Sequence, residues 1–258
     1  NSVLGLKLHN EYAYKWIELN MKLVQRQSQH FFVFHRAGAN GVAQFSQGSW
    51  LGDQMAAYGE HDGLQSAMYG YITSGLSGLP PVHSDIGGYT SIKTIWTKNI
   101  FRDSALLEDW MRLEAFTPTF RSHEGLHPDE NLQVYDSEMA EKFAYWTRVN
   151  EALSNYFSIQ LNNQAKSGIP IFRHDIMYSR TINTTANPIK FYVGDDIMIE
   201  YSSEIQDHGK QWSYFVEATP NLEENFSNKV DGRNVHIYIR SKSFLQKELN
   251  LFHEEERK

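Results

Sequence analysis

The 258-residue sequence contains no cysteine, so no disulfide can form and its stability rests on packing. This absence leaves the compartment open, since many secreted proteins also lack the residue. Nor is there a Lys/Arg cluster. With 24 Lys and Arg against 31 Asp and Glu, the formal net charge is -7, which argues against a nucleic-acid partner. No apolar run is long enough to cross a bilayer. His61, His83, His123 and His127 match no metal-ligand spacing such as two histidines four apart on one helix, and no metal or other cofactor is expected. The His35–Gly41 loop lacks the Lys-Ser/Thr ending of a phosphate loop, and there is no Gly-x-Ser-x-Gly nucleophile elbow. Internal repeats are absent, and the only biased stretch is the charged tail Glu254–Lys258, read as a solvated helix end.

What is present is organised around residues 31–54. The run Phe31-Phe-Val-Phe-His35 leads directly into Arg36, and Ser49-Trp50-Leu51 ends on Gly52-Asp53-Gln54. Short apolar runs capped by Gly and polar residues read as buried parallel strands whose C-terminal ends deliver side chains into a site. In a (β/α)8 barrel those ends form the catalytic rim. Helical periodicity is expected over residues 5–27, from about His61 to Ser74, from about Arg102 to Glu114 and, as one long helix, from about Ser137 to Ala165. Strands are expected at Val82–Ile86 and, in the FTPTF segment, at 116–120.

This alternation predicts a parallel α/β sheet, yet only about four strands precede residue 170. A closed barrel needs eight strands and typically about 250 residues, so residues 1–168 read as half of a (β/α)8 barrel. After Gly168-Ile-Pro170 the texture becomes β-rich, at Phe191–Val193, Ile197–Ile199, Trp212–Val216 and Val235–Ile239. Residues 169–258 therefore read as a small antiparallel β-sandwich domain. Half a barrel leaves open edges of a sheet buried on both faces, and such a chain is expected to need a partner to be soluble. The chain opens on Asn1 with no readable signal peptide, which reads as a processed chain or part of a longer product. Asn183-Thr-Thr and Asn225-Phe-Ser are readable as glycosylation acceptors and favour a secretory or lysosomal setting.

Four ordered motifs carry a resemblance. Arg36-Ala-Gly, Trp50-Leu-Gly-Asp53-Gln54, His83-Ser-Asp85-Ile-Gly-Gly-Tyr89 and Phe116-Thr-Pro-Thr-Phe-Arg-Ser-His123-Glu-Gly resemble glycoside hydrolase family 31, and within it the sulfoquinovosidases. The resemblance is dense from about His9 to Arg173 and thin afterwards. It implies a retaining α-glycosidase, in which two carboxyl groups about 5–5.5 Å apart act as nucleophile and as acid/base. It also implies that the chain is the C-terminal half of the barrel. The nucleophile then falls before residue 1, on a partner chain carrying the N-terminal half.

By the same resemblance Asp53 corresponds to the acid/base, although most Gly-Asp pairs are helix N-caps. Arg36 corresponds to a residue that binds sugar hydroxyls, and Asp85 to the carboxylate that meets this arginine; a structural ion pair would account for both. His123 corresponds to a histidine that bonds a sugar hydroxyl, and Trp50 serves as sugar platform or core. Gln54 and Tyr89 are the features that point to the sulfonated sugar, while simple packing over the loop would explain Tyr89 equally well. Two readings follow: a subunit or fragment of an enzyme hydrolysing α-sulfoquinovosides, or a non-catalytic structural or carbohydrate-binding subunit derived from a glycosidase. Retention of Arg36, Asp53, Asp85 and His123 favours the first.

Overall fold

The computed structural model describes residues 5, 8–29, 31–38, 41–178, 189–215 and 234–256. Asn183 and Asn225 lie outside the described residues. A 3-10 turn at His9–Glu11 leads into helix α1, Tyr12–Val24, whose Glu18 pairs with Lys15 and Lys22 on its polar side. Its apolar face is unusual. Ile17 alone is buried, while Tyr12, Trp16, Leu19 and Leu23 stand exposed.

Strands β1 (Phe34–His35), β2 (Gly48–Trp50) and β3 (Val82–His83) pair in parallel, in that order, with β2 in the middle. Helix α2 (Leu64–Leu76) returns the chain from β2 to β3. Beyond β3 the parallel pairing continues only as single bridges, Met55 to Thr90 and Ile86 to Ser122. The strand expected at 116–120 does not form. Phe116 is the C-cap of helix α3 (Ser104–Ala115), Thr117 turns its hydroxyl back to the Glu114 carbonyl, and Pro118 has no N–H to give to a ladder. Helix α3 starts where Asp103 accepts a hydrogen bond from the Leu106 N–H at 2.9 Å, a capping carboxylate.

The long helix expected over 137–165 is two, α4 (Ala140–Ala152) and α5 (Ser154–Ser167). Leu153 lies between them with ψ -3, its N–H shared between the carbonyls of Val149 and Asn150. The two helices are separated there, and the Leu153 side chain is fully buried in the core. Gly168, at φ 74, then stops α5 in the left-handed conformation that glycine adopts without penalty.

Five antiparallel strands follow: β4 (Phe172–His174), β5 (Ile189–Val193), β6 (Ile197–Tyr201), β7 (Trp212–Tyr214) and β8 (Val235–Arg240), in the order β4-β5-β6-β8-β7. The alternation is regular. Phe191, Val193, Ile197, Ile199, Ile237 and Ile239 face one side, and Tyr192, Met198 and Tyr238 the other. Where a sandwich was expected, the described residues form a single sheet. Its first face packs on the helices of the parallel layer: Tyr71 of α2 stacks on Phe191 at 5.6 Å and meets Phe172 at 4.7 Å, and Phe116 meets Phe215 at 5.0 Å. Helix α6, Phe244–Glu256, closes the chain and adds Leu245 and Leu249 to the same core.

Candidate active site

The parallel strands aim their C-terminal ends at one place. Arg36 follows β1 and Asp53 follows β2, its strand neighbour, and the Arg36 Nη2 donates to Asp53 Oδ2 at 2.8 Å. Gly52 at φ 95 turns the chain between Leu51 and Asp53, with Arg36 packed against the space a Cβ would take. The helix-cap explanation for Asp53 does not hold, because the next helix begins at Leu64 with Gly63 at its N-cap. The Asp53 side chain is 30% exposed and its partner 58%, so the pair sits open on the rim.

Two cations lie over the Trp50 ring. The Arg36 guanidinium lies 4.9 Å from its ring centroid and that of Arg121 at 5.4 Å. Arg121 also lies over Phe34, whose ring meets His83 edge to face at 4.8 Å. Arg121 donates to Asp85 Oδ1, forming a second ion pair beside the first. The expected pairing of Arg36 with Asp85 is therefore replaced by two others. Sheet order explains the change: β2 stands between Arg36 on β1 and Asp85 after β3, whereas Ile86 bridges Ser122 directly and brings Arg121 alongside.

Asp85 is fully buried, and burial raises its carboxyl above the ordinary range, against the pull of Arg121 and His123 and with some help from Asp53. Burial, and then the charge of Arg121, push His83 down to about 4, so its imidazole is neutral at physiological pH. Several buried polar atoms here have no protein partner: Trp50 Nε1, Gln54 Oε1, Asp85 Oδ2 and both ring nitrogens of His83.

Gln54 ties the middle of the site together. Its carbonyl accepts from the N–H groups of Tyr89 and Thr90 at 2.8 and 2.9 Å, and the Thr90 hydroxyl in turn donates to the Asp53 carbonyl at 2.8 Å. Tyr89 meets His123 edge to face at 4.9 Å. The Gly125 N–H donates to His123 Nδ1 at 3.0 Å, which places the proton of a neutral ring on Nε2 and leaves that nitrogen a donor. All seven sequence-nominated residues, Arg36, Trp50, Asp53, Gln54, Asp85, Tyr89 and His123, thus fall in one connected constellation. Sequence reasoning passed over Arg121 and Arg102, and weighed His83 only as a metal ligand. Arg121 alternates with His123 in a quoted motif, and that two-residue period was the available signal. Among the described residues no group of three or more His, Asp or Glu side chains is placed to hold a metal ion.

Parallel strand ends carrying a cation, a carboxylate and an indole are the arrangement expected at the catalytic rim of a (β/α) barrel. The sequence profile described as the glycosyl hydrolases family 31 TIM-barrel domain matches residues 2–158, and the chain belongs to glycoside hydrolase family 31. It is 34% identical over 203 residues to a sulfoquinovosidase of Agrobacterium fabrum, covering 77% of this chain and 30% of that protein. To a sulfoquinovosidase of Escherichia coli it is 29% identical over 221 residues, covering 84% and 31%. Among solved structures, a family 31 sulfoquinovosidase from E. rectale in complex with an aza-sugar inhibitor superposes with a TM-score of 0.79 at 26% identity, over 97% of this chain and 38% of that one. A cycloalternan-degrading enzyme from Trueperella pyogenes, at 17% identity and a TM-score of 0.68 over 93% of this chain and 34% of its own, shares the fold. The chain thus spans about a third of the length of the curated relatives it matches.

Proposed function

We propose that this chain supplies the C-terminal half of the barrel of a retaining α-glycosidase that hydrolyses α-sulfoquinovosides, with Asp53 as acid/base and the nucleophilic carboxylate on the N-terminal half. The observation that carries the reading is the Arg36–Asp53 pair on the Trp50 face, at adjoining strand ends beside an open sheet edge. Residues 1–168 form the half-barrel and 169–258 the C-terminal β domain. In this reading Asp53 protonates the departing glycosidic oxygen and later activates water. Arg36, Asp85 and His123 bind ring hydroxyls, and Gln54 and Tyr89 face the sulfonate. The relatives named sulfoquinovosidases support the choice of sugar.

Part of the apolar surface left bare lies at β1, where a neighbouring half-barrel would cover it. Phe31, Phe32 and Phe34, read from sequence as buried, are 45%, 57% and 38% exposed, since β1 is the edge of its sheet. A polypeptide carrying the N-terminal half, in the same chain or a separate one, is the proposed occupant. The non-catalytic reading draws on one observation, that both acidic groups already have arginine partners, as a purely structural pair would.

The test is to assemble the chain with the N-terminal half and assay 4-nitrophenyl α-sulfoquinovoside against the α-glucoside. Turnover of the first, and a fall in kcat of about 10²–10⁴ in Asp53→Asn, is the expected result. Binding without turnover would establish the non-catalytic alternative.

A further inference from the structure

Arg102 is buried to 3% exposure, has no carboxylate in ion-pair contact among the described residues, and turns one guanidinium nitrogen, Nη2, on main-chain carbonyls, while Nε and Nη1 are buried without a hydrogen-bond partner. Its Nη2 donates to Gly88 O and His123 O at 3.0 Å each and to Glu124 O at 3.3 Å. These carbonyls belong to two loops remote in sequence, one carrying Tyr89 and the other His123. The Gly88–Tyr89 peptide is consequently held at both ends, its carbonyl by Arg102 and its N–H by the Gln54 carbonyl. Glycines make room for the grip. A Cβ on Gly87 would lie 2.5 Å from Arg102 Cδ, and one on Gly125 would lie 3.0 Å from Nη2.

The arginine is itself anchored. Buried Asn131 accepts from the Arg102 backbone N–H at 2.8 Å and donates to Ser91 Oγ at 2.7 Å and to Leu126 O, so it braces the same two loops a step further out. Burial brings the guanidinium down to about 10, opposed by the charge of Asp85, so it stays a cation throughout the physiological range. A buried cation without a contacting carboxylate is costly, and here it fixes two loops of a site instead of a core ion pair.

We propose that Arg102 is a positioning residue for the sugar pocket: by holding the 87–89 and 123–125 loops through their carbonyls, it sets Tyr89 and His123 edge to face at the spacing that meets the substrate. This rests on the reading of Tyr89 and His123 as sugar-contacting residues given above. The Arg102 guanidinium donates only to main-chain carbonyls and acts through Tyr89 and His123, so its removal should weaken ground-state binding more than the chemical step.

The test uses the assembled barrel with Arg102→Met and Arg102→Lys. Two readouts are followed: kinetics on 4-nitrophenyl α-sulfoquinovoside, and the imidazole resonances of His123, which feel the Tyr89 ring. Arg102→Met should raise KM about tenfold or more while lowering kcat by less than about threefold, with the His123 resonances displaced and Arg102→Lys intermediate on both. An unchanged KM with unmoved His123 resonances in Arg102→Met overturns the proposal. Should the wild-type assembly bind or cleave no sulfoquinovoside, the functional reading fails, and the His123 resonances alone decide: displaced in Arg102→Met they support the positioning role, unmoved they overturn it. If Arg102→Met does not fold, Arg102→Gln takes its place, and the same two readouts apply.

Discussion

The two sheets of this chain are finished to different degrees. The five-stranded antiparallel sheet is covered on both faces, with aliphatic side chains turned to α2, α3 and α6 and an aromatic layer of Tyr192, Trp212, Tyr214 and Tyr238 on the other side. Its charged residues are paired within it: Glu200 meets His208 and Tyr238, and Arg173 meets Asp195. The parallel sheet ends instead on bare phenylalanines at β1 and on a rim of buried polar atoms without protein partners. Within one chain, the antiparallel sheet pairs its charges and buries its apolar side chains, and the parallel sheet is open where a substrate and a second half-barrel are proposed to arrive.

The strongest way to break the finished side is at its seam with the parallel layer. Asp109 of α3 is buried, pairs with Arg112 at 2.8 Å, and accepts from the Tyr58 hydroxyl and from the backbone N–H groups of Asn234 and Val235 at the start of β8. Asp109→Ala removes one partner of a buried ion pair and the acceptor for two strand N–H groups together. A loss of about 3–5 kcal/mol is expected, read as a lowered urea midpoint. A loss under about 1 kcal/mol would mean that α3 and β8 are held by apolar contact alone.

Behind the rim, a second buried carboxyl gives a smaller, pH-dependent effect. Glu114 accepts from Tyr71, Ser84 and Thr117, all buried, and burial raises it from 4.5 to about 7 in spite of those three bonds. A folded pKa above the unfolded one means the folded state holds the proton more tightly, so this contribution is full below pH 4.5 and is lost as pH rises through 7; it amounts to about 3 kcal/mol. His83 works the other way. Its pKa falls from 6.5 to about 4 on folding, so its contribution is present above 6.5 and is lost on acidification through 4. The two slopes oppose each other over the shared window. Glu114→Gln should therefore make the stability profile between pH 4.5 and 6.5 fall more steeply on acidification than that of the wild type, measured as Tm against pH. An unchanged slope would show that Glu114 is not protonated on folding.

The rim residues were legible because they sit in four short motifs and because strand ends in an α/β alternation point one way. Their pairing was not, since it depends on which strand is the middle one; β2 between β1 and β3 decides that Arg36 meets Asp53 and that Asp85 meets Arg121. Arg102 left no local trace, for its partners are carbonyls and carbonyls have no residue type. The β-rich texture of the last third was plain from period-two alternation, yet alternation does not say whether a helix or another sheet covers the face. The break at Leu153 was hidden inside continuous helical periodicity. The phenylalanines of 31–34 read as buried from composition, and composition carries no information about which strand is the edge of its sheet.

The edge at β1 gives the last and smallest effect on stability. Phe32 is 57% exposed and its ring lies over Gly48, so Phe32→Ser should change the stability of the chain by itself by under about 1 kcal/mol. Affinity for the N-terminal half should respond far more. Fully covering a phenylalanine on assembly is worth about 1.5–3 kcal/mol, or roughly ten- to hundredfold in Kd. Titration calorimetry between the two halves makes this measurement, with Leu76→Ser, at 57% exposure on the far end of α2, as the control that should leave Kd unchanged. Equal affinities for the wild-type and Phe32→Ser chains would mean that the barrel closes elsewhere, and that β1 is an edge in its own right.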